Sequence, residues 1–199
     1  MGMASAYGRN TVAATAREFP EQAYGIAEQI PEVLFRAQSF AWVARYAPGD
    51  LALRGFESAR WAAAGGKDAY QRSAPLAWPI RAAIETQRLP LARTMFETAL
   101  GELPKISRYC TRADAIELLF PAAFPAGQDF RRPLLVDLPE LCPATSHWKC
   151  GRLCVLIARQ LAWEDCDAAL AFADALPACK TRDRLLRMLA GGDSRPFFW

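Results

Sequence analysis

Histidine is all but absent from this chain of 199 residues: His147 is the only one. That excludes a multi-histidine metal site, and it leaves no second histidine for a Ser-His-Asp elbow elsewhere in the chain. No apolar run reaches the roughly 18 residues of a membrane-spanning helix, so no membrane partner is expected. A phosphate loop is missing too, because Gly65-Gly66 lacks the GxxxxGK[ST] spacing and any preceding strand. The N-terminus has no apolar h-region, which argues against a classical secretory signal. Met1-Gly2 opens like a myristoylation site, but Ala6 stands where that motif requires Ser or Thr.

Acidic residues are missing from the start of the chain, and Glu18 is the first. Residues 1–17 are therefore read as a flexible leader, and residues 18–199 as a single α-helical domain. Acid-free leaders rich in Ser, Thr and Ala occur on some bacterial proteins exported without a signal peptide. The expected location is the cytoplasm, with such export as the alternative. Lysine is scarce, 4 against 20 arginines, and the formal net charge is only +3. Acidic residues are interspersed with the arginines after residue 18, so a nucleic-acid partner is not expected.

Apolar residues make up 52% of the chain, enough for a substantial core. Their spacing is helical almost throughout. Ala23, Ala27 and Ile30 form one stripe, and Val33, Leu34, Ala37, Phe40, Ala41, Val43 and Ala44 form a second. Pro31 and Pro48-Gly49-Asp50 mark the ends of these helices. Pro75 and Pro79 are expected to kink or split a later helix. Asp68 is placed to cap it, at the turn Gly65-Gly66-Lys67-Asp68. The stretch from residue 120 to 149 holds six prolines and glycines and reads as a Pro-rich insertion, with one short helix around Leu134 to Leu138.

One arginine recurs in similar company: Arg36, Arg72, Arg112, Arg152 and Arg182, at intervals of 36, 40, 40 and 30 residues. Arg36-Ala-Gln-Ser-Phe40-Ala-Trp42 is echoed by Arg72-Ser-Ala-Pro-Leu76-Ala-Trp78. Ala169, Ala173, Leu176-Pro177 and Arg182 repeat the spacing of Ala23, Ala27, Ile30-Pro31 and Arg36. Self-similarity at this period is the mark of stacked helix pairs. The arrangement A-x3-A-x2-[IL]-x5-R-x3-[FL]-x2-[VL]-A resembles the degenerate helix-hairpin repeat of bacterial α-solenoids, in the HEAT-like and tetratricopeptide-like class. The first and last units carry it well, and the middle units share mainly the arginine and the apolar residues after it. The full tetratricopeptide signature, with its set Trp, Gly and Tyr, is not present.

The resemblance implies an all-α, right-handed α-solenoid of about five antiparallel helix pairs. It also implies a protein–protein interaction module that binds a partner protein through its concave face or the irregular loop, as an immunity- or antitoxin-like inhibitor does. A translocated bacterial effector or adaptor is the first alternative, and a HEAT-like nucleic-acid-processing enzyme the second. No catalytic residue and no cofactor are expected. The candidate partner-binding residues are Arg36, Trp42, Arg72, Trp78, Arg112 and Trp148. Each arginine has a plainer role as well: its stem can lie along the next repeat and its guanidinium can reach a carbonyl or carboxylate there. The tryptophans can equally be repeat core. The aromatic C-terminal segment Arg195-Pro-Phe-Phe-Trp199 either caps the last repeat or docks elsewhere.

Cys142, His147, Cys150 and Cys154 give C-x4-H-x2-C-x3-C, residue types that zinc prefers at an unfamiliar spacing. Ordinary buried cysteines beside a loop histidine are the simpler account. Metal analysis of protein purified without chelator separates the two. No stoichiometric zinc is expected, and zinc at one equivalent would assign the cluster to the metal.

Overall fold

The computed structural model describes residues 2–136, 138 and 148–191. All regular structure among the described residues is helical. The elements are α1 (Gly2–Thr15), α2 (Pro20–Glu28), α3 (Val33–Tyr46), α4 (Gly49–Ala64), α5 (Ala69–Ser73), α6 (Ala77–Glu85), α7 (Leu89–Glu102), α8 (Tyr109–Ala123), α9 (Gln128–Leu135), α10 (Trp148–Glu164), α11 (Cys166–Ala175) and α12 (Lys180–Ala190).

Helix ends follow the residues that punctuate the sequence. Pro20 opens α2 in its first turn, where the missing N–H costs nothing. The Asp68 carboxylate accepts the Gln71 N–H at 2.8 Å and caps α5, and Asp165 accepts the Ala168 N–H at 3.1 Å to cap α11. Between α5 and α6 the chain tightens into a 3₁₀ turn, Ala74–Leu76. Pro75 cannot donate there, so the helix splits. Pro79 falls in the first turn of α6 and is harmless.

Two segments depart from what the sequence leads one to expect. Residues 2–15 form a helix rather than a flexible leader. Val12 and Ala16 are fully buried, and α1 packs on α2 and α3. The physical reason is its small residues: Ser5 is buried and Gly8 lies against Ile30, so the helix docks closely although its sequence shows no strong apolar stripe. The Pro-rich stretch is also more ordered than expected up to residue 135. α8 runs through Pro121 to Ala123, a 3₁₀ turn spans Phe124–Ala126, and α9 starts at Gln128, ahead of the helix expected around Leu134.

Packing is organised around a row. α3 contacts α6, α6 contacts α8, α8 contacts α10, and α10 contacts α12. The remaining helices flank the row: α2 and α4 on α3, α7 on α6, α9 on α8, α11 on α10. The core inside is unusually rich in alanine, with Ala27, Ala44, Ala59, Ala83, Ala99, Ala123 and Ala169 among many buried at 0–1% exposure. Phe56, Phe96 and Phe120 are the largest fully buried side chains and mark its thicker parts. Burying a side chain of that size contributes about 1.5–3 kcal/mol.

A close contact joins α3 to α4. A Cβ on Gly55 would lie 3.0 Å from both the Cβ and the backbone N of Ala44. Part of that neighbour is backbone, which yields less readily than a flexible side chain, so an added methyl crowds the contact. The two helices connect through Ala47-Pro48, and Gly49 turns the corner with a φ of 53° that other residues rarely adopt.

These contacts predict opposite outcomes for two glycine replacements. Gly55→Ala gains about 1 kcal/mol of helix propensity but forces an overpacking cost of about 1–3 kcal/mol. Its melting temperature is expected to fall by a few degrees, with the shift set by domain size. Gly25 sits exposed inside α2, with nothing within 4 Å of the place a Cβ would take. Gly25→Ala is expected to raise the melting temperature, by about 0.5–1 kcal/mol of added stability. Calorimetry on the two variants reads both signs.

Candidate functional site

All five repeat arginines lie in the first turn or so of a helix: Arg36 in α3, Arg72 in α5, Arg112 in α8, Arg152 in α10 and Arg182 in α12. Four of them bond across or beside a turn. Arg72 gives two N–H groups to the Glu102 carboxylate at 2.9 Å and a third to the Gly66 carbonyl at 3.3 Å, tying α5 to α7. Arg112 donates to the Ile106 carbonyl at 2.9 and 3.2 Å and to Pro104 at 3.4 Å, pinning the loop before its own helix. Arg152 reaches Glu117 on α8 at 2.6 Å. Arg182 reaches Asp174 on α11 at 3.1 Å. Arg36 is half-buried on α3. Two of the six candidate binding residues, Arg72 and Arg112, thus hold their guanidiniums against their own fold.

Trp42 and Trp78 come together. They line one shallow depression between α3 and α6 with Gln38, Arg45, Arg81 and Glu85, enclosing about 50 Å³. The Glu85 carboxylate holds both arginines, Arg45 at 2.9 Å and Arg81 at 2.7 Å. Trp42 stacks on Tyr46, with ring centroids 6.1 Å apart, and Arg45 covers both rings. Further along the row Arg81 donates to the Pro121 carbonyl at 3.3 Å, and Lys149 of α10 pairs with Asp114 of α8. The Asp114 hydrogen bond pushes the Lys149 ammonium above its ordinary value, against the opposing effect of burial. Trp148, at the start of α10, is 63% exposed and lies under the Arg152 guanidinium, 5.0 Å from its ring. The exposed side of the row is therefore a chain of paired charges with tryptophans set between them.

Of the four candidate zinc ligands, Cys142 and His147 lie outside the described residues. Cys150 and Cys154 are buried on one side of α10. No group of three or more metal-ligating side chains occurs among the described residues.

A larger cavity lies elsewhere, and no motif in the sequence announces it. A cleft of about 560 Å³ lies between α4 and α7. Its floor is apolar: Ala63 and Ala64 of α4, Leu76 of the 3₁₀ turn, and Met95 of α7. Its walls carry Glu57, Arg60 and Trp61 from α4, and Thr98 and Glu102 from α7, with Arg72 at its base. Trp61 is 79% exposed at the lip. α4 buries Leu51, Ala52, Gly55, Phe56, Ala59, Ala62 and Ala63 as a helical stripe. Trp61 falls outside that stripe, and this was the signal available in the sequence.

Glu102 accepts from Arg72 on one side and from Lys105 at 2.6 Å on the other. The hydrogen bond from Lys105 is the main reason its carboxyl sits below the ordinary carboxylate range. Burial opposes the shift, and Arg72 reinforces it. Comparison with protein-family models, curated proteins and solved structures gave no match for this chain.

The lowered Glu102 carboxyl makes a pH prediction. A carboxyl depressed in the folded state stabilises the fold above its unfolded value of about 4.3, and that contribution is lost as pH falls through the folded value. Melting temperature measured from neutral to acid pH is expected to drop more steeply below about pH 4.5 in the native chain than in Glu102→Gln. At neutral pH the variant is the less stable of the two. Parallel profiles for the two proteins would refute the assignment.

Proposed function

We propose that the chain is a short right-handed α-solenoid of about five antiparallel helix pairs, and that it works as a protein–protein interaction module. The solenoid reading is supported by the ordered row α3–α6–α8–α10–α12 and by a recurring arginine near the start of α3, α8, α10 and α12, with Arg72 in the short helix α5 just ahead of α6. Each helix pair buries its apolar face only against its neighbours, as stacked repeats require.

The observation that carries the functional reading is the cleft between α4 and α7. Binding sites combine concavity, an apolar floor and a few polar groups that fix orientation. Here a cleft of about 560 Å³ has that make-up, and a 79% exposed tryptophan stands at its edge. Tryptophan and arginine dominate interface energetics, because each covers a large area while keeping a polar handle. Inhibitor, adaptor and effector roles are particular cases of this reading, and each needs a partner seated on such a surface. The nucleic-acid alternative finds less support. Along the row, Arg45, Arg81, Lys149 and Arg152 each pair with a carboxylate, whereas phosphate binding calls for an unneutralised basic stripe.

A photo-crosslinking residue at Thr98, inside the cleft, tests the reading in cells that express the chain. It is expected to trap a polypeptide adduct that disappears when Trp61 is replaced by Ala. The same label at the exposed Asp167 of α11 is expected to give none. Equal labelling from both positions, or none from Thr98, would sink the cleft as a protein-binding site.

A further inference from the structure

We infer that the cleft between α4 and α7 takes an amphipathic helix of a partner protein, one whose apolar stripe is flanked by an acidic and a basic residue a turn apart. The inference rests on the protein-binding reading of that cleft and names the shape and chemistry of its occupant.

The shape follows from the walls. Both are helices, and their backbone N–H and C=O groups bond within their own helix. Thr98, on the α7 wall, gives its hydroxyl to the Thr94 carbonyl at 2.9 Å, so that group is engaged as well. An extended peptide laid between such walls meets no strand edge, and its own backbone groups lose water without gaining a partner. A helix brings its backbone bonds with it. The cleft is lined over residues 57–64 of α4 and 95–102 of α7. Each stretch is a little over two turns, about 12 Å long. Anchors at i, i+4 and i+7 of a docked helix span about 10.5 Å, which fits that length.

α4 supplies the chemistry. Leu53, Glu57, Arg60, Trp61 and Ala64 are all exposed. At about 100° per residue they fall within one arc of roughly 100°, away from the stripe that α4 buries. Trp61 and Ala64 line the cleft, and Leu53 extends the same face by one turn beyond Glu57. An apolar stripe of the occupant covers these residues and the floor of Leu76 and Met95. Glu57 and Arg60 make no ion pair among the described residues, whereas Arg72 and Glu102 at the base are paired at 2.9 Å. The free wall charges are therefore one of each sign, a turn apart on α4. An occupant with one base and one acid complements both. An occupant with two like charges sets one of them against its own sign.

Three labelled peptides test this by fluorescence anisotropy on the full chain. Each is alanine-based, about 16 residues long so that it forms a helix, with leucines at i, i+4 and i+7. They differ only in two charged residues beside the stripe: one acidic and one basic, both acidic, or both basic. The mixed peptide is expected to bind the native chain best, by about threefold to tenfold at low salt. Glu57→Lys makes both wall charges basic and is expected to shift the preference to the acidic peptide. Arg60→Glu is expected to shift it to the basic one. Trp61→Ala is expected to weaken all three at least roughly tenfold. All three positions are exposed, so melting temperatures are expected to stay unchanged. A proline in the middle of the mixed peptide breaks a helix and spares an extended chain, and is expected to abolish binding. Undiminished binding of the proline peptide, affinities that ignore the wall substitutions, or no binding by any of the three overturns the inference. A Trp61-dependent adduct from Thr98 in cells, with none of the peptides bound, overturns the inference and leaves the protein-binding reading standing. No adduct and no bound peptide would overturn both.

Discussion

The distance between neighbouring helices is the constraint on which everything else in this fold rests. It is set by alanine, and at one point by glycine: Gly55 lies against the backbone of Ala44, where a methyl group would be crowded. Helices that pack on small residues bring their backbones close, and close backbones leave little space for large side chains between them. The chain's bulky residues are sorted accordingly. Phe56, Phe96 and Phe120 fill the thicker parts of the core, while Trp61, Trp148 and Trp163 are displaced to the surface at 79%, 63% and 59% exposure. The surface tryptophans that make this protein a candidate binder are thus a consequence of how its core is spaced.

Close packing along the row also sets the electrostatics. Arginines that reach from one helix to the next are only partly wet, and a carboxylate or carbonyl is near each of them. Glu102 gathers Arg72 and Lys105, Glu85 gathers Arg45 and Arg81, and Glu117 receives Arg152. Exposed single pairs of this kind contribute little, commonly about 0–1 kcal/mol each. Their work here is geometric: those that join two helices fix the angle between them. The arginine-rich composition therefore serves the stacking first, and the near-balance of charge follows from it.

Much of the architecture was legible in the residues. Asp68 capped the helix it was placed to cap, Pro75 split the helix it interrupted, and the five recurring arginines each marked a helix start. These signals are local: they act within a turn or two of the residue that carries them. What eluded the sequence was non-local. The docking of α1 depends on Gly8 meeting Ile30, and no periodicity within residues 2–15 announces it. The helix through Pro121 depends on packing around Phe120 and Ala123, which overrides the proline. The cleft is lined by α4 and α7 together, and a space between two helices is a property of both rather than of either sequence. Of the candidate binding residues, Trp42 and Trp78 do share a surface, lining one depression between α3 and α6. Arg72 points to the cleft instead, since the split at Pro75 separates it from Trp78.

The row has a last consequence, for the order in which the chain assembles. Each row member from α3 to α10 contacts both the helix that follows it and the next row member. Loop closure is short at every step, and folding of such arrays is fast and able to propagate from a single nucleus. The α3–α4 hairpin, closed by two residues at Ala47-Pro48, is the most local of the large contacts.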